Sequence, residues 1–180
     1  MKKLIVISLF VFVSNIFPQS ALSKGSYTLG GNVGFSSTSM EGSSESQSYF
    51  YFNPSCGYFF IDNFYTGLSL SYTHTSLGNA TNNALGIGPS VRYYFIVEKL
   101  NPFLGLSYTY NKTTNGNYDY TSTNFMLSGG LDYFINSYFA IEGSINYSFI
   151  KYKYPQGYYI NNEANGTIFN LGFGVKYFIF

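Results

Sequence analysis

The chain has 180 residues and a formal net charge of +1; 9% of its residues are charged and 22% aromatic, with 20 Tyr, 19 Phe, 19 Gly and no Trp. So balanced a charge gives no basic field for nucleic acid, and the one cysteine, Cys56, rules out an intramolecular disulfide. The length suits one domain, but so many rings beside so few charges do not suit a surface solvated by water alone.

Met1, Lys2 and Lys3 precede an apolar run over residues 4–17, which is the charged start and short apolar core of a secretory signal and too short for a comfortable membrane span. Pro18 breaks the run, and Ala21 and Ser23 stand at the two positions that signal peptidase reads. The reading is therefore a cleavable signal peptide over residues 1–23 and a mature domain over 24–180. No later stretch reaches the roughly 18 consecutive apolar residues of a membrane helix. A mature chain that crosses a bilayer must then do so as a closed sheet, which leaves no backbone group unpaired in lipid.

From Tyr27 onward the chain falls into eight segments of alternating character separated by polar turns. The first sets Tyr27, Leu29, Val33 and Phe35 against Thr28, Asn32 and Gly34. The second, about 49–60, puts Phe50, Phe52, Pro54, Cys56 and Tyr58 on one face. In the third, about 64–75, Leu68, Leu70 and Tyr72 oppose Gly67, Ser69 and Ser71, and in the fourth Leu85, Ile87, Val91 and Tyr93 oppose Gly86, Gly88, Ser90 and Arg92.

The fifth segment, about 102–111, carries Leu104, Leu106, Tyr108 and Tyr110 opposite Gly105, Ser107 and Thr109. Phe125, Leu127, Leu131 and Tyr133 mark the sixth, opposite Asn124, Ser128 and Asp132. The seventh sets Ile141, Ile145, Tyr147 and Phe149 against Glu142, Ser144 and Asn146, and the eighth sets Phe169, Leu171, Phe173, Val175 and Tyr177 against Asn170, Gly172, Gly174 and Lys176.

Bulky residues on one face and small polar ones on the other invert what a soluble barrel needs, where large apolar side chains fill the inside. The fold class is therefore all-β: an eight-stranded antiparallel up-and-down transmembrane β-barrel. Its connections alternate, short at about 61–63, 96–101 and 135–138, and longer at about 38–48, 76–84, 112–122 and 151–165. Short periplasmic turns and longer outside loops characterise outer-membrane barrels, so both ends of the chain belong on the periplasmic side.

A weak repeat closes each even segment, with Tyr58, Tyr93, Tyr133 and Tyr177 at its centre. At intervals of roughly 35 to 45 residues the unit is a hairpin rather than a propeller blade, and the tyrosines would form a girdle at the periplasmic lipid boundary. By the same alternation Arg92, Asp132, Glu142 and Lys176 point inward at similar depth. They are expected to neutralise one another in an ionic cluster that plugs the lumen, either as a closure device or as a gate or proton path.

With its signal, eight alternating strands, the strand ends Arg92-Tyr93-Tyr94-Phe95 and Asp132-Tyr133-Phe134-Ile135 and the terminal Phe180, the chain resembles the outer-membrane protein β-barrel domain family, which includes small OmpX-like barrels and the OmpA membrane domain. The resemblance spans nearly all of the mature chain and implies a place in the bacterial outer membrane among its lipids. It also implies recognition of Phe178 and Phe180 by the barrel-assembly machinery. Because Phe180 is out of phase with Val175, Tyr177 and Ile179, either the last strand bulges or the final residue lies beyond the sheet.

Family members include adhesins, stress-associated surface proteins and a few lipid-modifying enzymes. Lipid A deacylases pair a His and a Ser two apart with a carboxylate; His74 and Ser76 have the spacing, but no Asp or Glu lies between His74 and Glu98. No catalytic residue, cofactor or metal is therefore expected, since one His and one Cys on different strands cannot make a zinc site. Tyr118, Tyr120, Tyr154, Tyr158 and Tyr159 beside Asn and Gly resemble recognition loops in composition. Adhesion or binding of an extracellular protein or surface ligand is the leading reading, against loops that merely cover the mouth; a small porin-like channel or a lipid-modifying enzyme is the alternative.

Overall fold

In a computed structural model, residues 21–39, 46–77, 80–97, 99–115, 118–155 and 163–180 are described. Eight strands follow one another: β1 (Tyr27–Ser39), β2 (Ser46–Ile61), β3 (Phe64–Leu77), β4 (Ala80–Tyr94), β5 (Leu100–Asn115), β6 (Tyr118–Asn136), β7 (Phe139–Lys153) and β8 (Glu163–Ile179). Each pairs antiparallel with the next, and β8 returns to β1 to close the barrel.

The strands are longer than the alternation indicated. About 9–11 tilted residues cross a bilayer, yet β6 has 19 residues. Hydrogen-bonded pairing continues past the apolar band: Leu77 meets Ala80 and Asn115 meets Tyr118. Most of the expected 76–84 and 112–122 loops is thus strand, because polar Thr, Asn and Ser residues keep pairing after the lipid-facing rings have stopped.

The short connections gather at one end. Between β2 and β3 the turn passes through Asn63 with φ 66°, a left-handed conformation that asparagine tolerates better than most residues. Both ends of the barrel chain lie here too, where Tyr27 pairs with Ile179. β8 stops at Ile179 and Phe180 lies beyond it, its ring stacked on Tyr138 with centroids 5.0 Å apart. The bulges fall elsewhere, at Phe59/Ile61 and Phe134/Asn136.

The outward face carries an apolar band, with Phe35 71%, Leu85 66%, Leu104 61% and Phe173 66% exposed. Cys56 is exposed on this same face, in line with its alternation beside Phe52 and Tyr58. The buried apolar cluster is small and sits inside the barrel at the short-turn end, formed by Phe59, Tyr65, Tyr94, Phe103, Phe134, Ala140 and Phe178 with Ala21 and Leu22. This inner aromatic layer departs from the small polar interior read from the sequence.

Ala21 and Leu22, placed by the sequence in a removed leader, have 0% and 1% exposure. The Leu22 carbonyl accepts from the Asn63 amide at 2.8 Å, the Lys24 amide donates to Asp62 Oδ1 at 2.8 Å, and Gly25 and Ser26 bond the backbone of Phe59 at 2.9 Å each. The packed unit thus includes Ala21 and Leu22, and a boundary after Ser23 would cut through it.

Candidate functional site

Inside the barrel the side chains form layers. At the short-turn end lies the aromatic floor, where Phe134 and Phe178 stand 4.9 Å apart, Tyr94 and Phe103 5.6 Å, and Phe59 and Tyr65 5.8 Å. The bulky rings fit because glycine faces them: a Cβ on Gly57 would lie 2.1 Å from the Tyr65 ring and one on Gly130 2.6 Å from Phe103.

Directly against this floor, the structure brings Arg92, Asp132, Glu142 and Lys176 together. Asp132 and Glu142 are register partners on β6 and β7, a like-charge pairing that would repel if left alone. Lys176 Nζ lies between them, 2.8 Å from Asp132 Oδ2 and 2.5 Å from Glu142 Oε2. Arg92 Nη1 reaches Glu142 Oε2 from the opposite wall at 2.6 Å.

Phe103 contributes to the same site, with Arg92 Cζ 4.5 Å and Lys176 Nζ 4.9 Å from its ring centre. Lys176 Nζ also donates to the Tyr94 hydroxyl at 2.7 Å. Two cations and two anions, with rings on the floor side, make a closed electrostatic unit in which each charge is matched. The inward positions of Phe103 and Tyr94 were readable from alternation, but only the closed barrel sets them against charges from other strands.

Towards the other end the lumen opens into a cavity of about 360 Å³ lined mostly by amide and hydroxyl groups, among them Asn53, Ser71, Asn124 and Asn170, with Arg92 and a few apolar side chains such as Ile150 also on its wall. Tyr49, Tyr51, Tyr120 and Tyr152 line it as well. At this mouth Tyr120 lies 6.2 Å from Tyr152 and 5.1 Å from Tyr154.

Tyr118 and Tyr120, read as loop residues, belong to β6 instead, and Tyr120 turns into the lumen. Extension of the β5–β6 pairing is the reason. Tyr154 follows the end of β7, while Tyr158 and Tyr159 lie outside the described residues. Tyr152 is the member of the cluster that the sequence reading missed; its place two residues before Tyr154 on a strand was the available signal.

Tyr93, Tyr133 and Tyr177 point outward at the short-turn end with 47%, 51% and 50% exposure. Tyr58 joins them, 4.8 Å from Tyr27 and 5.1 Å from Phe60. Phe178 points the opposite way, into the floor, fully buried, whereas Phe180 is 47% exposed.

His74 and Ser76 share the outward face of β3, but each is bonded to a different partner. His74 Nδ1 is 2.8 Å from Asn83 Oδ1, and Ser76 Oγ is 2.6 Å from Ser48 Oγ. Among the described residues no three His, Cys, Asp or Glu side chains gather as a metal site.

Residues 6–177 match the family model for the outer membrane protein beta-barrel domain. Neisserial surface protein A is similar in structure, with a TM-score of 0.56 at 20% identity, covering 86% of this chain and 97% of that one. OprG of Pseudomonas aeruginosa gives 0.55 at 14% identity over 87% and 97%. The N-terminal barrel of OprF from the same organism gives 0.54 at 18% identity over 87% and 98%. At these identities the likeness concerns the fold. No curated protein matches the chain in sequence.

Proposed function

The chain belongs to the outer membrane protein beta-barrel domain family, and on that premise we propose that it is a non-conducting barrel of the bacterial outer membrane that meets partners outside the cell through its tyrosine-rich mouth. The observation that carries this is the double closure of the lumen by the ionic unit and the aromatic floor. An eight-stranded barrel has room inside for side chains and little else.

In this reading the short turns and both ends face the periplasm, and the Tyr120–Tyr152–Tyr154 cluster faces outward from the cell. Tyr58, Tyr93, Tyr133 and Tyr177 then sit at the periplasmic lipid boundary, where a ring buries its body and wets its hydroxyl. The exposed ring of Phe180, free of the sheet, suits recognition by the barrel-assembly machinery; buried Phe178 would serve that role only before the barrel closes. Chemistry on a substrate is not part of the reading, since His74 is held by an amide rather than oriented by a carboxylate.

Two experiments test it. Reconstituted in a planar bilayer, the protein should give no steady current, and a large ohmic pore would reject the closed lumen. Displayed on a non-adherent bacterium, it should confer binding to cultured epithelial cells, and Tyr120→Ala with Tyr154→Ala should remove most of that binding. Binding undiminished by the double substitution would reject the mouth as the contact surface.

A further inference from the structure

Outside the lumen, the cations of the barrel are unevenly placed. Lys24 and Lys99 lie at the short-turn end, and Arg92 and Lys176 are internal. The remaining three, Lys112, Lys151 and Lys153, all sit on the outward face of β5 and β7 at the far end. At comparable outward positions β3 and β4 carry His74, Thr81 and Asn83.

Register places the three lysines on one patch. Lys112 is opposite Thr121 and Thr121 opposite Lys153, while one row nearer the membrane centre Thr123 faces Lys151. In the next row Tyr108, Phe125 and Phe149 are successive partners. Here the outer surface is not smooth: a groove of about 530 Å³ runs along Tyr108, Phe125 and Phe149 up to Thr123, Lys151 and Asn165.

An apolar groove ending under a cationic rim has the polarity of a single phosphorylated lipid. Two of the lysines are held by carboxylates, Lys112 with Asp119 at 2.9 Å and Lys151 with Glu163 at 2.7 Å, but all four side chains are at least half exposed. Exposed pairs of this kind contribute little and exchange readily. Among the described residues Lys153 makes no ion pair, so the patch keeps a net positive charge.

We propose that this face binds an anionic lipid of the outer leaflet, its phosphate at Lys112, Lys151 and Lys153 and an acyl chain in the groove over Tyr108, Phe125 and Phe149. The inference rests on the outer-membrane placement above. Basic side chains at a lipid–water boundary gain from anionic headgroups within a Debye length, and the groove makes the contact specific to the phosphate's own chain.

The test uses the folded full-length protein in uncharged detergent and native mass spectrometry, with diphosphorylated lipid A, its dephosphorylated form and inorganic phosphate as separate probes. Diphosphorylated lipid A should stay bound, with the dephosphorylated form retained about tenfold less and phosphate alone not retained. Lys151→Gln with Lys153→Gln should weaken retention on the order of tenfold or more, each basic residue at an anionic surface being worth about fivefold; Lys99→Gln should change nothing.

Equal retention of the dephosphorylated lipid, or undiminished retention by the double variant, would overturn the proposal. Phosphate held as tightly as the lipid would also overturn it, in favour of a free-anion site. Heat-modifiable migration checks that the variants fold, and membrane fractionation tests the cellular location separately, so the two readings fail distinguishably.

Discussion

The Tyr51 hydroxyl donates to the backbone carbonyl of Leu171 at 3.2 Å, joining β2 to β8 across the strand that lies between them. The ring can cross because its register partner on β1 is Gly34, where a Cβ would lie 2.2 Å from the Tyr51 ring. The bond spans the weakest seam of the barrel: β1 and β8 pair only from Tyr27↔Ile179 to Val33↔Phe173. Carried further, the register would put Gly34 opposite Gly172 and Phe35 opposite Leu171, pairs that are not formed.

That seam should open first. In hydrogen exchange of the detergent-solubilised barrel, the β8-facing amides of residues 34–39 should exchange faster than those of the fully paired β5–β6 ladder. Tyr51→Phe should speed them further, since one lost hydrogen bond is worth about 1 kcal/mol, or roughly fivefold in a local opening constant. Uniform protection around the barrel would contradict the short seam.

The ionic unit makes a distinctive prediction about stability. Lys176→Met leaves Asp132 and Glu142 facing each other with only Arg92 to share, and should destabilise the barrel by roughly 3–5 kcal/mol in urea unfolding. Adding Asp132→Leu restores charge balance and should recover most of the loss. A double variant no better than the single would mean that the charges act independently.

The closed lumen should survive single disruption of the cluster. Arg92→Ala removes one cation but leaves the rings of Phe59, Phe103, Phe134 and Phe178 beneath it, so current should stay near that of the wild type. An open pore in Arg92→Ala would show that the ionic unit alone keeps the lumen shut.

The mature amino terminus should lie at or before Ala21, because residues with this burial stabilise the floor they pack in. Intact mass of the membrane-extracted protein reads this directly, and a mass corresponding to a start at Lys24 would contradict it. Leu22→Ala should cost roughly 2–5 kcal/mol if the side chain remains in the mature protein, and nothing if it has been removed.

Alternation with period two was enough to assign Leu104, Leu106 and Tyr108 outward and Gly105, Ser107 and Thr109 inward, because successive side chains of a strand leave opposite faces. Where strands end was harder to read. Asn115 and Tyr118 look like a loop in composition, yet their backbones pair as part of the β5–β6 ladder, and hydrogen bonding does not depend on an apolar face.

The floor was hidden for a related reason. Phe59, Phe103, Phe134 and Phe178 occupy inward positions on four different strands, each looking like an exception to a small polar face. Only together do they form a layer. Leu22, read as part of a leader, bonds Asn63 on the turn between β2 and β3, a contact that no local pattern announces.

By itself, then, the amino-acid sequence determined an alternating, ring-rich sheet that must close on itself in lipid, since the period of a strand and the cost of unpaired backbone in hydrocarbon act locally along the chain. The similar depth of the four inward charges was legible too, but tertiary structure alone decided which inward residues touch. Closure staggers each strand against its neighbour, and that stagger sets Lys176 between Asp132 and Glu142, draws the lysines of β5 and β7 onto one patch and leaves Tyr51 to bridge the seam.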